Sequence, residues 1–274
     1  QTGTAHPARV YDYWLGGKDN FAADRAAAEQ VLQVMPKILD TVRGNRRFLV
    51  RAAGFLRDAG IRQFLDIGSG LPSSPNVHEV AQAGGNGARV VYVDHDPVVF
   101  SHAQVLTAKN DGTAVVHADL RAADEVLSGA GKLLDFTQPA GLLFVGCLHH
   151  IPDPDDPAGI VARYLAALAP GSYLVISHAT NEFSPEKMNA NAEVADNSGT
   201  MLIPRSKDAI MGMFNGRELV DPGLVLVSHW RPEGDEPGLN ADRAWAYGGA
   251  WAPSLSPAPE PPHALGYSPA PPEG

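Results

Sequence analysis

The chain has 274 residues, 44% of them hydrophobic, which is enough for one large domain with a full core and some appendages. Its net charge of −10 argues against a protein that binds the phosphate backbone of nucleic acids. A single cysteine excludes an intrachain disulfide, and with neither a signal peptide nor a long apolar run we expect a cytoplasmic protein that contacts no membrane.

The first sixty residues have a helical pattern. RVYDYWL is interrupted by Gly16-Gly17, strong helix formers follow in DRAAAEQVL, and the apolar residues of 42–56 recur on one stripe. Gly60 is expected to end the last helix as its C-cap. The pattern predicts an N-terminal helical cap over 1–60. Its polar GGKDN joint either lets the cap close as a lid, with Tyr13 over the ligand, or joins two permanently docked helices.

Short apolar runs then alternate with helical stretches. The runs are FLDI (64–67), VVYVD (90–94), AVVHAD (114–119), GLLFVGCL (141–148) and SYLVIS (172–177). Strands that are apolar on both faces and separated by helices are typical of a parallel sheet with right-handed crossovers. After a polar stretch, a helix at about 206–214 and strands at 224–227 and 244–250 are expected. The predicted fold is α/β, a doubly wound Rossmann-like sheet of seven strands over 61–250, followed by a proline-rich tail over 251–274.

A glycine turn, Gly68-Ser69-Gly70, follows the first strand, where open parallel sheets bind their ligands. A Walker-type phosphate loop is excluded, because no Lys-Ser/Thr pair follows the glycines. The dinucleotide fingerprint lacks its third glycine, and Ser74 and Pro75 are predicted to begin the next helix late, as its N-cap and first residue. The ligand is therefore not expected to carry a diphosphate.

Acidic residues end the first two strands. Asp66 lies two residues before the first glycine, where a negative charge favours a positively charged ligand over phosphates. Asp94 ends the second strand, where a carboxylate can accept both ribose hydroxyls. Asp96 is then expected to cap the following helix, although the two roles can also be reversed.

The third strand ends in a further acid. Asp119 is expected within reach of an adenine amino group, while Leu120 offers a backbone amide to the ring. His95 is expected either to lie beside the adenine or to be exposed. A nucleoside with a cationic tail and no phosphates describes S-adenosylmethionine.

The motifs DIGSG (66–70), VDHDP (93–97) and ADLR (118–121) resemble the successive motifs of class I S-adenosylmethionine-dependent methyltransferases. Longer segments resemble one bacterial family, the S-adenosyl methyltransferases: VYDYWLGGKDNFAADRAAAE, NRRFLVRA, GIRQFLDIGSGLPSSPNVHEVAQ, VVYVDHDPVV, LHHIPDPDDPAGIVARY, LAPGSYLVISHAT and PGLVLVSHWRP. The resemblance covers residues 6 to about 249. It implies the class I fold, S-adenosylmethionine as the cofactor, and methyl transfer to an acceptor that it does not identify and that we expect to be a small molecule.

The run CLHHIPDPDD (147–156) follows the fourth strand, beside the expected position of the sulfonium. His149 or His150 is a candidate to take a proton from the acceptor, or forms part of the wall. Cys147 is expected to be a small packing residue at the cofactor site. The acids are interpreted as helix caps in Pro-Asp turns, so no metal is predicted. Arg205 is expected either at the solvated surface or on an anionic acceptor.

Two other functions agree with the same residues. A protein that binds S-adenosylmethionine without transferring its methyl group, such as a sensor or a partner subunit, needs no acceptor motif. A nicotinamide oxidoreductase is disfavoured by Asp66 and by the late start of the helix after the glycine turn.

Overall fold

The computed structural model describes residues 3–232 and 244–253. The strands are β1 (Gln63–Ile67), β2 (Arg89–Asp94), β3 (Thr113–His117), β4 (Gly141–Val145), β5 (Tyr173–Ala179), β6 (Val225–Leu226) and β7 (Ala246–Trp251). They form one sheet in the order β3-β2-β1-β4-β5-β7-β6. β1 to β5 pair in parallel, and β7 is antiparallel to β5 and β6. The predicted α/β class and seven-stranded sheet are confirmed.

The α-helices of the described residues are α1 (Pro7–Trp14), α2 (Ala22–Val34), α3 (Ile38–Asp58), α4 (Val77–Ala81), α5 (Pro97–Thr107), α6 (Ala123–Ala130), α7 (Pro157–Ala166), α8 (Pro185–Ser198) and α9 (Lys207–Gly212). The helices α1 to α3 precede the sheet, as predicted. None of the described helices is long and apolar enough to cross a membrane. The predicted tail lies outside the described residues from 254 onward.

Two helix ends that were predicted from the sequence can be compared with the structure. Gly60 has a φ of +93° and Ile61 N–H donates to the Leu56 carbonyl, so Gly60 ends α3 as predicted, although it directly follows the C-cap residue, Ala59. The N-terminus of α4 was predicted wrongly, since Asn76, not Ser74, is its N-cap. Glu79 accepts from the Asn76 N–H in a capping box, and this reciprocal pair delays the helix by two further residues.

Alternate residues of the central strands pack on opposite faces of the sheet. Leu65 and Phe144 belong to a cluster with side chains of α6 and α7, whereas Phe64 and Leu143 pack with α3 and α4. A third cluster joins α2, α3 and α8 around Trp245. The sequence reading missed α8. Its buried residues are few and its exposed residues are polar, which hides the helical period of Met188, Asn191 and Ala195.

The first helix is held to the rest of the domain by a buried ion-pair network. Arg9 is 3% exposed, and its Nε and Nη1 atoms lie 3.0 Å from Asp24 and 3.1 Å from Asp96. Trp14 Nε1 donates to the Ala28 carbonyl over 3.2 Å. Because Asp24 belongs to α2 and Asp96 caps α5, one guanidinium connects α1 both to the next helix and to the sheet domain.

The polar residues of the GGKDN joint have local structural partners. The Asp12 carboxylate accepts from the Asp19 N–H over 3.0 Å and from Asn20 Nδ2 over 2.8 Å. A Cβ atom on Gly17 would lie 1.9 Å from Asp12 Oδ1, so a larger residue there would displace the Asp12 carboxylate. The joint is a turn organised around Asp12.

Candidate functional site

A cavity of about 390 Å³ lies at the carboxyl ends of β1 to β4. The predicted cofactor residues among those that line it are Gly68, Ser69, Gly70, Asp94, His95, Asp119, Leu120 and Cys147. The chain therefore brings eight of the ten predicted cofactor residues to one cavity. The exceptions are Asp66 and Tyr13.

Both the backbone conformation and the packing favour glycine in the turn after β1. Gly68 and Gly70 each have a φ of +66°, which favours glycine. A Cβ atom on Gly68 would lie 2.6 Å from the Cβ of Cys147, so the turn and the end of β4 are in close contact. The Gly70 N–H donates to Asp94 Oδ2 over 2.9 Å. The Ser69 hydroxyl is buried and has no partner among the described residues.

The two acids at the carboxyl end of β2 have separate roles. Asp96 accepts from the N–H groups of Val98 and Val99 over 2.7 and 3.1 Å, which confirms it as the N-cap of α5. Asp94 lines the cavity and accepts from Gly70 N–H and, over 3.0 Å, from Asp96 N–H. A carboxylate has about four acceptor positions, so both oxygens of Asp94 can still accept from a ligand.

Asp119 has a charged partner that the sequence reading missed. Arg121 donates to both of its oxygens, over 3.0 Å from Nε and 2.6 Å from Nη2, and also donates to Asp155 over 2.8 Å. These hydrogen bonds hold the pKa of Asp119 below its usual value. Asp119 is therefore a fixed acceptor at the cavity edge. The spacing of the two residues in ADLR could have indicated the pair.

Asp66 was predicted to face the ligand, but it is not among the residues that line the cavity. Its side chain is buried at the end of β1, and this burial raises its pKa to about 7, although the nearby Arg46 cation opposes the shift. Asp66 therefore does not line the cavity, and it affects the site through its electrostatic interactions with Arg46 and Asp94. Burial cannot be inferred from the local sequence, since FLDI is compatible with either side-chain direction.

Tyr13 does not face the cavity either. Its hydroxyl donates to Glu29 over 3.1 Å at the surface, and its ring packs beside α2. Tyr11 lines the site instead, because residues two apart on a helix point to nearly opposite sides. The inner face of α1 carries four residues at helical spacing, namely Pro7, Val10, Tyr11 and Trp14. This spacing could have indicated from the sequence that Tyr11, rather than Tyr13, faces the interior.

Arg46 of α3 is a further cavity residue that sequence reasoning did not single out, although it lies within the quoted NRRFLVRA segment. Its Nη2 atom donates to the carbonyls of Ser73 and Pro75 in the loop after β1. Its Nε atom is buried and has no partner within the described ranges. A cation with a spare donor can bind an anionic group such as a carboxylate.

A second, smaller cavity of about 90 Å³ lies under α1, α2 and α8. It is lined mainly by apolar side chains from these helices and from α3, with Trp245 beside them. Both cavities have wall residues in common, among them Tyr11, Asn45, Gly146, His150 and Thr200. The two spaces are therefore adjacent, and His150 lies at their junction.

Hydrogen bonds distinguish the two predicted histidines. His150 Nδ1 lies 2.6 Å from the Met201 carbonyl, which can only accept, so in the neutral ring Nδ1 carries the proton and Nε2 carries the lone pair. His149 Nδ1 accepts from the Ala179 N–H over 3.4 Å, so in the neutral ring Nε2 is protonated. Burial lowers the pKa of both rings and keeps them neutral. Only His150 combines a free ring nitrogen with a place in both cavities.

Behind these rings, Arg205 is buried, so the prediction of a solvated surface position is wrong, and it lines neither of the two cavities. It donates to Asp153 over 2.6 Å and to His178 Nε2 over 2.8 Å. Since a guanidinium cannot accept, His178 Nδ1 carries that ring's proton and donates to the Ala179 carbonyl over 2.7 Å. Burial lowers the pKa of His178 to about 3, so this ring stays neutral and fixed.

The acids of DPDD have structural partners. Asp156 caps α7 by accepting from the Gly159 N–H over 2.9 Å, as predicted. Asp153 and Asp155 instead form ion pairs with Arg205 and Arg121. In residues 3–232 and 244–253, no group of three or more His, Cys, Asp and Glu side chains is arranged to hold a metal ion.

Known proteins resemble this chain in both sequence and structure. A family model described as S-adenosyl methyltransferase matches residues 1–252. A DUF574 family protein from Streptomyces avermitilis is 38% identical, with 92% of this chain and 98% of that chain covered and a TM-score of 0.88. A proposed methyltransferase from Thermobifida fusca is 39% identical, with 92% and 96% covered and a TM-score of 0.86. No curated protein matches the chain.

Proposed function

The chain belongs to the S-adenosyl methyltransferase family, and on this premise we propose that it methylates a small-molecule acceptor at the junction of its two cavities. S-adenosylmethionine is the cofactor of the family. The observation that carries the proposal is the position of His150, which lines both the smaller cavity and the larger one. An acceptor in the smaller cavity would then have a base beside its reacting atom.

The residues of the larger cavity fit this cofactor. Two buried polar atoms without partners in the described structure, Ser69 Oγ and Arg46 Nε, supply donors for a carboxylate. Asp94 supplies acceptors for ribose hydroxyls. When bound, S-adenosylmethionine supplies a methyl group already activated on a positively charged sulfur, so the protein contributes mainly alignment and a dry site.

We assign roles to the other predicted cofactor residues from their positions in the larger cavity. Asp119 and the Leu120 amide would contact the adenine, with His95 beside it. Gly68 and Gly70 allow the ligand to approach the backbone closely, and Cys147 packs against this turn. Burial raises the pKa of the Cys147 thiol well above its ordinary value, which supports a packing role rather than a nucleophilic one.

The activity is tested by incubating the protein with isotope-labelled S-adenosylmethionine and an extract of cell metabolites. We expect S-adenosylhomocysteine to form together with a labelled small product, and neither to form without the extract. A protein that binds the cofactor tightly but yields no labelled product with any extract fraction would instead support the role of a sensor or partner subunit.

Replacing Asp94 with alanine should weaken the binding of S-adenosylhomocysteine by about 1–3 kcal/mol, because ribose hydroxyls would lose their acceptor. Isothermal titration calorimetry measures the change. The matched control is Asp124→Ala, which removes an exposed acid from α6 and should leave the dissociation constant unchanged. Equal affinities of the two variants would disprove the ribose assignment.

Replacing Arg46 with glutamine should weaken S-adenosylhomocysteine binding by about 1.5–3 kcal/mol, the usual contribution of a hydrogen bond to a charged group. The affinity for 5′-methylthioadenosine, which lacks the carboxylate, should stay within about twofold of wild type by the same reasoning. Arg43→Gln, an exposed change on the same helix, is the control. A parallel loss for both ligands would mean that Arg46 only supports the loop at Ser73.

A further inference from the structure

We propose that the smaller cavity binds a neutral, single-ring phenol with a second hydroxyl group, and that Asn191 recognises this second hydroxyl. The inference rests on the proposed function, since it names the acceptor class of the same site. It is carried by three properties of the cavity: the charge of its lining, its size, and a buried amide without a full set of partners.

The lining contains no Asp, Glu, Lys or Arg among the described residues. A charged acceptor would therefore lose its hydration without gaining a counter-ion, which costs several kcal/mol. This excludes carboxylates, phosphates and protonated amines from the cavity. Tyr11, Trp14 and Trp245 contribute aromatic rings to the wall, and such rings favour contact with another flat ring.

The smaller cavity can enclose no more than one ring of the acceptor. Its volume of about 90 Å³ is below the ~150 Å³ of an apolar cavity known to hold benzene. The ring must therefore extend into the opening that the two cavities share. His150 is part of that opening, so the substituent that reaches it is the one to be methylated.

Asn191 of α8 is 2% exposed and lines the smaller cavity, but it does not line the larger one. Its Nδ2 atom donates to the sulfur of Met35 over 3.7 Å, and a thioether is a weak acceptor. Within the described ranges the side chain has no other hydrogen bond. Its Oδ1 atom has no donor among the described residues, and a second hydroxyl on the ring would supply one.

The acidity of a phenol also suits the base. Burial lowers the pKa of His150, which makes it a weak base, and a weak base removes a proton more readily from a phenol than from an aliphatic alcohol. In the transfer, the phenol oxygen bonds to the methyl carbon as the carbon–sulfur bond breaks, and the bonding electron pair stays on sulfur. The phenol proton goes to Nε2 of His150 and then to water.

Fluorine NMR tests the binding without relying on turnover. The protein is saturated with S-adenosylhomocysteine and titrated with 5-fluororesorcinol, 3-fluorophenol and 3-fluorobenzoate. We expect 5-fluororesorcinol to bind about 3- to 10-fold more tightly than 3-fluorophenol, the effect of one added hydrogen bond, and 3-fluorobenzoate to bind at least about tenfold more weakly. In Asn191→Leu the two phenols should bind equally, whereas Asn189→Leu, an exposed change on the same helix, should behave as wild type.

The outcomes separate the inference from the proposed function. If the protein does not bind S-adenosylhomocysteine, the proposed function fails. If it binds S-adenosylhomocysteine but prefers the benzoate, or binds both phenols equally as wild type, the inference is overturned and the proposed function stands. The S-adenosylhomocysteine affinity of Asn191→Leu shows whether this variant folds. If it does not fold, the comparison of the three probes on the wild type still tests the inference.

Discussion

Replacing His150 with glutamine is expected to lower kcat by about 10²- to 10⁴-fold, the usual contribution of a positioned general base. Glutamine retains a polar side chain of similar length but cannot take a proton near neutral pH. Because the ring lies at the junction rather than at the ribose or adenine end, the dissociation constant for S-adenosylhomocysteine should stay nearly unchanged. Steady-state kinetics with the identified acceptor and calorimetry with S-adenosylhomocysteine measure the two quantities.

His149→Gln is the matched control, since this ring is adjacent to His150 but its Nδ1 already accepts from the backbone. Its effect on kcat should be much smaller. If the two variants lose activity equally, the assignment of the base to His150 is wrong. If neither loses activity, the acceptor reacts without a base from this pair.

The pH dependence follows from the direction of the pKa shift. Burial disfavours the imidazolium, so the pKa of His150 lies below its usual 6.5 and the neutral, proton-accepting form predominates at pH 7. The wild-type kcat/KM should therefore be constant just above neutrality and fall only as the pH drops below about 6.5. The His150→Gln variant should lack this acid limb.

Replacing Arg9 with leucine is expected to lower the free energy of unfolding by about 3–5 kcal/mol, as when one partner of a buried ion pair is removed. Asp24 is fully buried, and Asp96 also lies in the interior, so both would keep a charge that lacks its cation. Urea unfolding followed by circular dichroism measures the change. Arg25→Leu, which removes an exposed arginine from α2, should change stability by less than about 0.5 kcal/mol.

This prediction also separates the two interpretations of the N-terminal cap. A network that connects α1 to α2 and α5 favours permanent docking over a lid that opens freely. Amide hydrogen exchange in residues 8–14 should therefore be slow without ligand and should change little when S-adenosylhomocysteine is added. Fast exchange in the free protein, together with a stable Arg9→Leu variant, would restore the lid.

The sequence alone was sufficient for the sheet and for most of the cofactor cavity. Strands buried on both faces are continuous apolar runs, so FLDI and the four runs after it could be placed without knowing their neighbours. The glycine turn and the acids that end β2 and β3 could also be placed, because the carboxyl ends of parallel strands meet at one edge. These features depend on local sequence and on a regular rule of topology.

The tertiary structure decided what depends on contacts between distant residues. The sequence could not distinguish His149 from His150, because the proton position on His150 is set by the carbonyl of Met201, 51 residues away. Asn191 could not be singled out because its helix is a polar stretch in the sequence, and its significance comes from burial against Met35, the C-cap of α2. Burial and hydrogen-bond partners arise only when separate segments pack together, and for this reason most residues of the larger cavity could be predicted from the sequence, whereas the smaller cavity became visible only in the fold.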